Sequence, residues 1–218
     1  MQSETFAQLL SELQPYGAAL VAVSKTRSPE EMLPLYDYGQ RNFGENYVQE
    51  LLSKKDCFSG QVNWHFIGHL QSNKVRHIVP FVSLIHGVGS FKVLKEISKR
   101  SMEAKLCIDV LLQVHIATEE SKSGLSYHEC VALYEENLAS PLEGIQIRGL
   151  MGMASFTDDE LQISDEFKGL RKLFDQLRSD GAEGFNILSM GMSSDYKVAL
   201  AEGSNMVRIG SRLFGPRQ

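Results

Sequence analysis

Apolar positions along the chain fall into two alternating rhythms, one with the spacing of a helix face and one made of short unbroken runs. Phe6, Leu9, Leu10 and Leu13 keep helical spacing, which predicts an amphipathic helix over residues 3–14, ended by Pro15 and Gly17. Residues 19–24 follow as an almost wholly apolar run, too short for a buried helix and suited to a strand covered on both faces. After a short turn Pro29 starts a second helix that reaches about residue 38, and the alternation repeats. Further strands are expected at 42–44, 64–68, 83–86, 108–115, 145–150, 186–189 and 206–209, which with the first makes eight. Helical patterns lie between them at 47–54, 91–103, 127–137 and 167–178.

Strand and helix in alternation imply parallel pairing with helical crossovers, and eight such units close naturally into a (β/α)8 TIM barrel. An open doubly wound sheet is the alternative. Its first turn would more often carry a glycine fingerprint, and VSKTRS after the first strand has no glycine. No internal repeat or low-complexity tract interrupts the pattern.

Composition narrows the function. At 218 residues and 43% hydrophobic content, one domain spanning 1–218 is expected. A net charge of −5 with scattered basic residues argues against a nucleic-acid surface, while leaving room for a small anion at a local site. Cys57, Cys107 and Cys130 are odd in number and form no CxxC pair, which fits a reducing compartment better than a disulfide framework. The first residues are polar and amphipathic, and no apolar run approaches a membrane span, so a soluble cytoplasmic protein without a membrane partner is expected.

In a barrel, chemistry belongs at the carboxyl ends of the strands, and phosphate sites are frequent after strands seven and eight. Both ends fall in residues 188–215, LSMGMSSDYKVALAEGSNMVRIGSRLFG. Ser193, Ser194 and Asp195 start a helix there, where unpaired N–H groups, hydroxyls and the helix dipole can receive an oxyanion. Gly210 and Ser211 follow the last strand, and a glycine permits the close backbone approach that a second set of donors needs. Either turn alone also fits plain helix capping. Two in succession point toward a phosphate cup. Lys25, Gly44-Glu45-Asn46, Gly68-His69, the EESKSG loop around Lys122 and Met151-Gly152 end other strands on the same rim.

Lys25 ends an apolar strand, where an ammonium is costly to bury unless it gains a partner or loses its proton. It can snorkel to the rim, or as a neutral amine attack a carbonyl to form a Schiff base. Joined to a phosphate cup, the second course points to pyridoxal 5′-phosphate (PLP), an aldehyde with a phosphate handle. Arg208 lies two residues before Gly210 on the last strand and can point inward at such a ring, or pair with a rim carboxylate such as Glu45 or Asp195. An arginine facing the pyridine nitrogen would keep that nitrogen unprotonated and weaken the ring as an electron sink.

VAVSKT, FGENYVQE, WHFIGHLQSNK, ESKSG, RGLMGM, LSMGMSSDY and VRIGSRLFG, in order over nearly the whole length, resemble the YggS-like pyridoxal phosphate homeostasis proteins. These are fold-type III barrels related to the N-terminal domain of alanine racemase. The resemblance implies that Lys25 carries the cofactor as an imine, that Asn46 lies beside the ring, and that Arg208 faces the pyridine nitrogen. Ser193, Ser194, Gly210 and Ser211 then hold the phosphate, Met190 is a further cofactor-binding residue, and Lys122 matches a family lysine near the cofactor's way in. Gly89 stands where the family often has Asp, and His115 where it usually has Asn.

His65 and His69 flank WHFIG, where four strand residues span about 13 Å, so a shared metal is not expected. His65 is expected to be a packed or hydrogen-bonded strand residue or to point inward near the cofactor, and His86 has no partner legible in the sequence. The expected function is that of a PLP carrier, a monomer by the resemblance because the racemases' dimerising second domain is missing, serving apo PLP-dependent enzymes and having no catalytic residues. An amino-acid racemase is the alternative, and a phosphosugar enzyme a third reading from barrel analogy.

Overall fold

The computed structural model describes residues 2–119, 123–179 and 184–215. Within them, eight strands pair in parallel and in chain order: β1 (Ala19–Val23), β2 (Asn42–Glu45), β3 (Asn63–Phe66), β4 (Val82–Val88), β5 (Ile108–Val114), β6 (Ile145–Gly152), β7 (Ile187–Ser189) and β8 (Met206–Ile209). β8 returns to β1 with Val21 beside Arg208 and Ala22 beside Ile209, which closes the barrel and excludes the open sheet.

The main helices are α1 (Gln2–Leu13), α2 (Pro29–Asp37), α3 (Val48–Lys54), α4 (Val75–Ile78), α5 (Phe91–Ala104), α6 (Tyr127–Ala139), α7 (Glu160–Ser179), α8 (Tyr196–Ala201) and α9 (Ser211–Phe214). Their starts are written locally. Ser28 and Ser126 each accept the N–H three residues on, while Glu31 and Glu129 reach back to complete capping boxes. α7 begins well before the expected residue 167, because Asp159 accepts from the Leu161 and Gln162 N–H groups and caps a polar first turn. That turn has little apolar rhythm to read: Ile163 is buried, but Leu161 is 79% exposed.

Strand side chains alternate between two layers. Leu20, Ala22, Leu112, Leu150, Val207 and Ile209 join the large core between sheet and helices. Val21, Leu84, Leu111, Met151 and Met206 form a separate, smaller cluster within the barrel. The period of two puts His86 on the face of Leu84 and Arg208 on the face of Met206, so both polar side chains continue the interior stack toward the carboxyl rim.

Candidate functional site

A cavity of about 520 Å³ opens at the carboxyl rim. It gathers Lys25 after β1, Asn46 after β2, Met192, Ser193 and Ser194 after β7, and Arg208, Gly210 and Ser211 from the end of β8. Seven of the eight residues expected to bind cofactor thus share one wall. Met190 does not join them: it is fully buried in the large core, and Met192, two residues on, lines the cavity instead. Alternation turns Met190 outward after the inward-facing Ser189, and the turn that follows, rather than alternation, brings Met192 to the cavity. Lys122 lies outside the described residues.

The cup is built by the turn itself. Gly191 has φ +96°, and a Cβ there would stand 2.6 Å from Ala199 Cβ, so the chain can leave β7 this way only through glycine. Asp195, 4% exposed, accepts the Met192 N–H on Oδ1 and so closes a turn with Ser193 and Ser194 at its tip. Ser193 Oγ accepts the Gly210 N–H at 3.2 Å, tying the two halves of the cup together and leaving the Ser193 hydroxyl hydrogen to donate. Gly210 packs on Val23, where an added Cβ would meet Val23 Cβ and O at 3.3 Å. Asn46, which lines the same cavity, has its Oδ1 buried without a hydrogen-bond partner, an amide oxygen that a ligand donor would satisfy.

Arg208 is 4% exposed and makes no ion pair among the described residues. Glu45 is taken by Lys54, and Asp195 acts on Arg208 only at longer range. Its Nη1 donates to Ser189 O (2.8 Å) and Ser189 Oγ (2.6 Å), and its Nη2 to Gly152 O (2.9 Å). Burial draws the guanidinium down to about 10, against the opposing pull of Asp195, which leaves it charged at neutral pH.

Behind Ser189 runs a chain that the sequence did not reveal. His86 Nδ1 lies 3.1 Å from Ser189 Oγ, and His86 Nε2 lies 2.9 Å from His65 Nδ1. With Arg208 donating to Ser189 Oγ, the Ser189 hydrogen is available to His86 Nδ1, and in that tautomer His86 Nε2–H donates to His65 Nδ1. Both rings are neutral near pH 7: burial lowers His65 to about 4 and His86 well below its ordinary value, and the unfavourable pairing of two protonated rings and the Arg208 charge lower His86 further. His65 is thus the hydrogen-bonded strand residue expected and does not line the cavity, and a separation of 103 residues between His86 and Ser189 hid the contact.

Near Lys122's loop, His115 Nε2 bonds the Glu119 carbonyl, and Gly89 faces Gly124. Two tyrosines near the site motifs turn away from the cavity. Tyr47 is 57% exposed, and Tyr196 donates its hydroxyl hydrogen to Glu12 on α1.

A parallel eight-stranded barrel whose cavity, with an amine, a buried guanidinium and two hydroxyl-glycine turns, opens at the carboxyl rim is built like the (β/α)8 proteins that bind ligands there. More narrowly, the chain belongs to the family described as alanine racemase, N-terminal domain, which matches residues 4–218. It is 40% identical over 197 residues to a Helicobacter pylori protein named pyridoxal phosphate homeostasis protein, covering 89% of this chain and 86% of that one. PipY of Synechococcus elongatus, solved with PLP bound, superposes with a TM-score of 0.89 at 33% identity, covering 99% of this chain and all of that one. Alanine racemase of Clostridium difficile is similar in fold alone, with a TM-score of 0.75 at 15% identity over 98% of this chain and 56% of that one.

Proposed function

We propose that this protein binds pyridoxal 5′-phosphate, shields its aldehyde and passes it on without a dedicated chemical turnover. The observation that carries the reading is the composition of the cavity wall: a primary amine, a buried cation lacking a carboxylate, an orphaned amide oxygen and a double hydroxyl-glycine turn. When bound, the cofactor supplies an aldehyde that an amine captures reversibly. Ser193, Ser194, Gly210 and Ser211 receive the phosphate, with Met192 rather than Met190 against the ligand. Asn46 satisfies its oxygen beside the ring, Arg208 donates to the pyridine nitrogen, and Lys25 holds the aldehyde carbon. Lys122 hands the ligand in and out. Recipients are apo forms of PLP-dependent enzymes in the cytoplasm, and the barrel acts as one domain and as a monomer. No described helix is long and apolar enough to cross a membrane, and the three cysteines are unpaired, which accords with that setting.

The absence of turnover rests on two features. Among the described residues lining the cavity, no His, Tyr, Cys, Asp or Glu accompanies Lys25 as a second base. Arg208 keeps its protons near neutrality, so it holds the ring nitrogen unprotonated and limits carbanion stabilisation. A general base is worth about 10²- to 10⁴-fold in rate, so its lack alone makes proton exchange slow. Solvent deuterium incorporation at Cα across a panel of L-amino acids, with chiral analysis of the products, tests this. The expected rates lie far below enzymatic turnover, and exchange at roughly 1 to 10³ per second on any amino acid would reinstate the racemase reading.

A further inference from the structure

Both peptide groups that bracket Lys25 are held by one ion pair on α3. Lys54 Nζ donates to the Ser24 carbonyl oxygen at 2.9 Å, in the peptide entering Lys25. Glu50 Oε2 accepts the Thr26 N–H at 2.7 Å, in the peptide leaving it. Lys54 and Glu50 are 3.3 Å apart at i, i+4 spacing. Behind them Glu45 Oε1 accepts from Lys54 at 2.8 Å and from the Ser24 hydroxyl at 2.7 Å.

Stability does not explain this cluster. Lys54 is 4% exposed and Glu45 fully buried, and burial pushes the Glu45 carboxyl up despite its bonds to Lys54 and Ser24. Glu45 Oε2 has no hydrogen-bond partner. A buried pair left partly unsatisfied is generally no better for stability than well-packed apolar residues. Thr26 adds strain, with φ +64° in the left-handed region, which is unfavourable for a β-branched residue. Such strain persists only where the surroundings impose it, and Glu50 grips the strained residue's own N–H. Buried charge and backbone strain converge on the residue between Ser24 and Thr26.

We propose that Lys54 and Glu50, backed by Glu45, are positioning residues that fix the backbone of Lys25 so that its amine meets the incoming aldehyde. The inference rests on the proposed function. In the step served, neutral Lys25 Nζ bonds to the aldehyde carbon, and the carbonyl oxygen leaves as water with the two amine hydrogens, so no oxidant or further reactant enters.

The test uses the full chain as Lys54→Met, Lys54→Arg and Glu50→Gln, with two readouts. One is the rate at which added PLP becomes fixable to Lys25 by borohydride. The other is affinity for pyridoxine 5′-phosphate, which keeps ring and phosphate but has an alcohol in place of the aldehyde. Lys54→Met is expected to slow adduct formation about 10- to 100-fold, as misplacement of a reacting group does. Affinity for pyridoxine 5′-phosphate stays unchanged, Lys54→Arg recovers most of the rate, and Glu50→Gln, a weaker acceptor, falls between. Wild-type rates in Lys54→Met and Glu50→Gln overturn the proposal. So does a parallel loss of pyridoxine 5′-phosphate affinity, which would make the cluster a support of the whole site. Should Lys54→Met not fold, Glu50→Gln, whose side chain is 28% exposed, decides alone. A wild-type protein that forms no adduct at Lys25 removes the proposed function itself, and this inference with it.

Discussion

Acidification should destabilise this protein through the two histidines inside its barrel, before most carboxylates titrate. His65 and His86 are held neutral by burial, His65 at about 4 and His86 well below the ordinary 6.5. The sign follows from proton counting: below about pH 6.5 the unfolded chain binds protons on both rings while the folded chain does not, so stability falls with pH. For His65 the loss accumulates between 6.5 and about 4 and then levels off. At about pH 5 the unfolded His65 ring is nearly all protonated and the folded ring hardly so, which amounts to about 2 kcal/mol, and His86 adds to the loss in the same direction. Glu45 and Asp109, raised by burial, act in the opposite direction and offset part of it. Urea unfolding followed by the fluorescence of Trp64, the single tryptophan and 3% exposed, reads the effect across that pH range. The comparison is a His65→Gln/His86→Gln double variant, whose stability at neutral pH is free to differ but whose pH slope should be much flatter. If wild type and double variant lose stability with the same slope, the buried neutral chain behind Arg208 is not the source.

Two further perturbations address the rim. Gly191→Ala forces a side chain into a backbone with φ +96° and onto Ala199, so thermal unfolding should show a loss of at least about 1–3 kcal/mol, and a change within about 0.5 would mean that the cup turn is not constrained as described. Lys122→Ala should load and release PLP more slowly while still holding it, and transfer at the wild-type rate, followed by stopped-flow absorbance, would remove the hand-over role assigned to that lysine.

The barrel was legible because its strands are buried on both faces and read as apolar runs punctuated by turn residues; β8 was expected at 206–209, where it lies. The two turns of the candidate cup were legible for a related reason, since Gly191, Ser193, Ser194, Gly210 and Ser211 sit in two local turns whose backbone conformation is short-range. What escaped was non-local. Nothing near His86 in the chain announces Ser189 and Arg208, and nothing near Lys54 announces the Ser24 carbonyl that it meets 30 residues earlier. Met190 and Met192 show the limit of resolution at a strand end, where two steps along the turn separate core from cavity. The first turn of α7 was missed because its start is set by the Asp159 cap rather than by apolar spacing.

The central claim is that Lys25 and the cup hold PLP by separate means, and borohydride reduction followed by peptide mapping tests it directly. Wild-type protein incubated with PLP and reduced should carry the phosphopyridoxyl group on the peptide containing Lys25. Lys25→Ala should carry no reducible adduct while still binding pyridoxine 5′-phosphate through the turns of Ser193 and Gly210. A full complement of reduced adduct on Lys25→Ala, mapping to another lysine, would contradict the account.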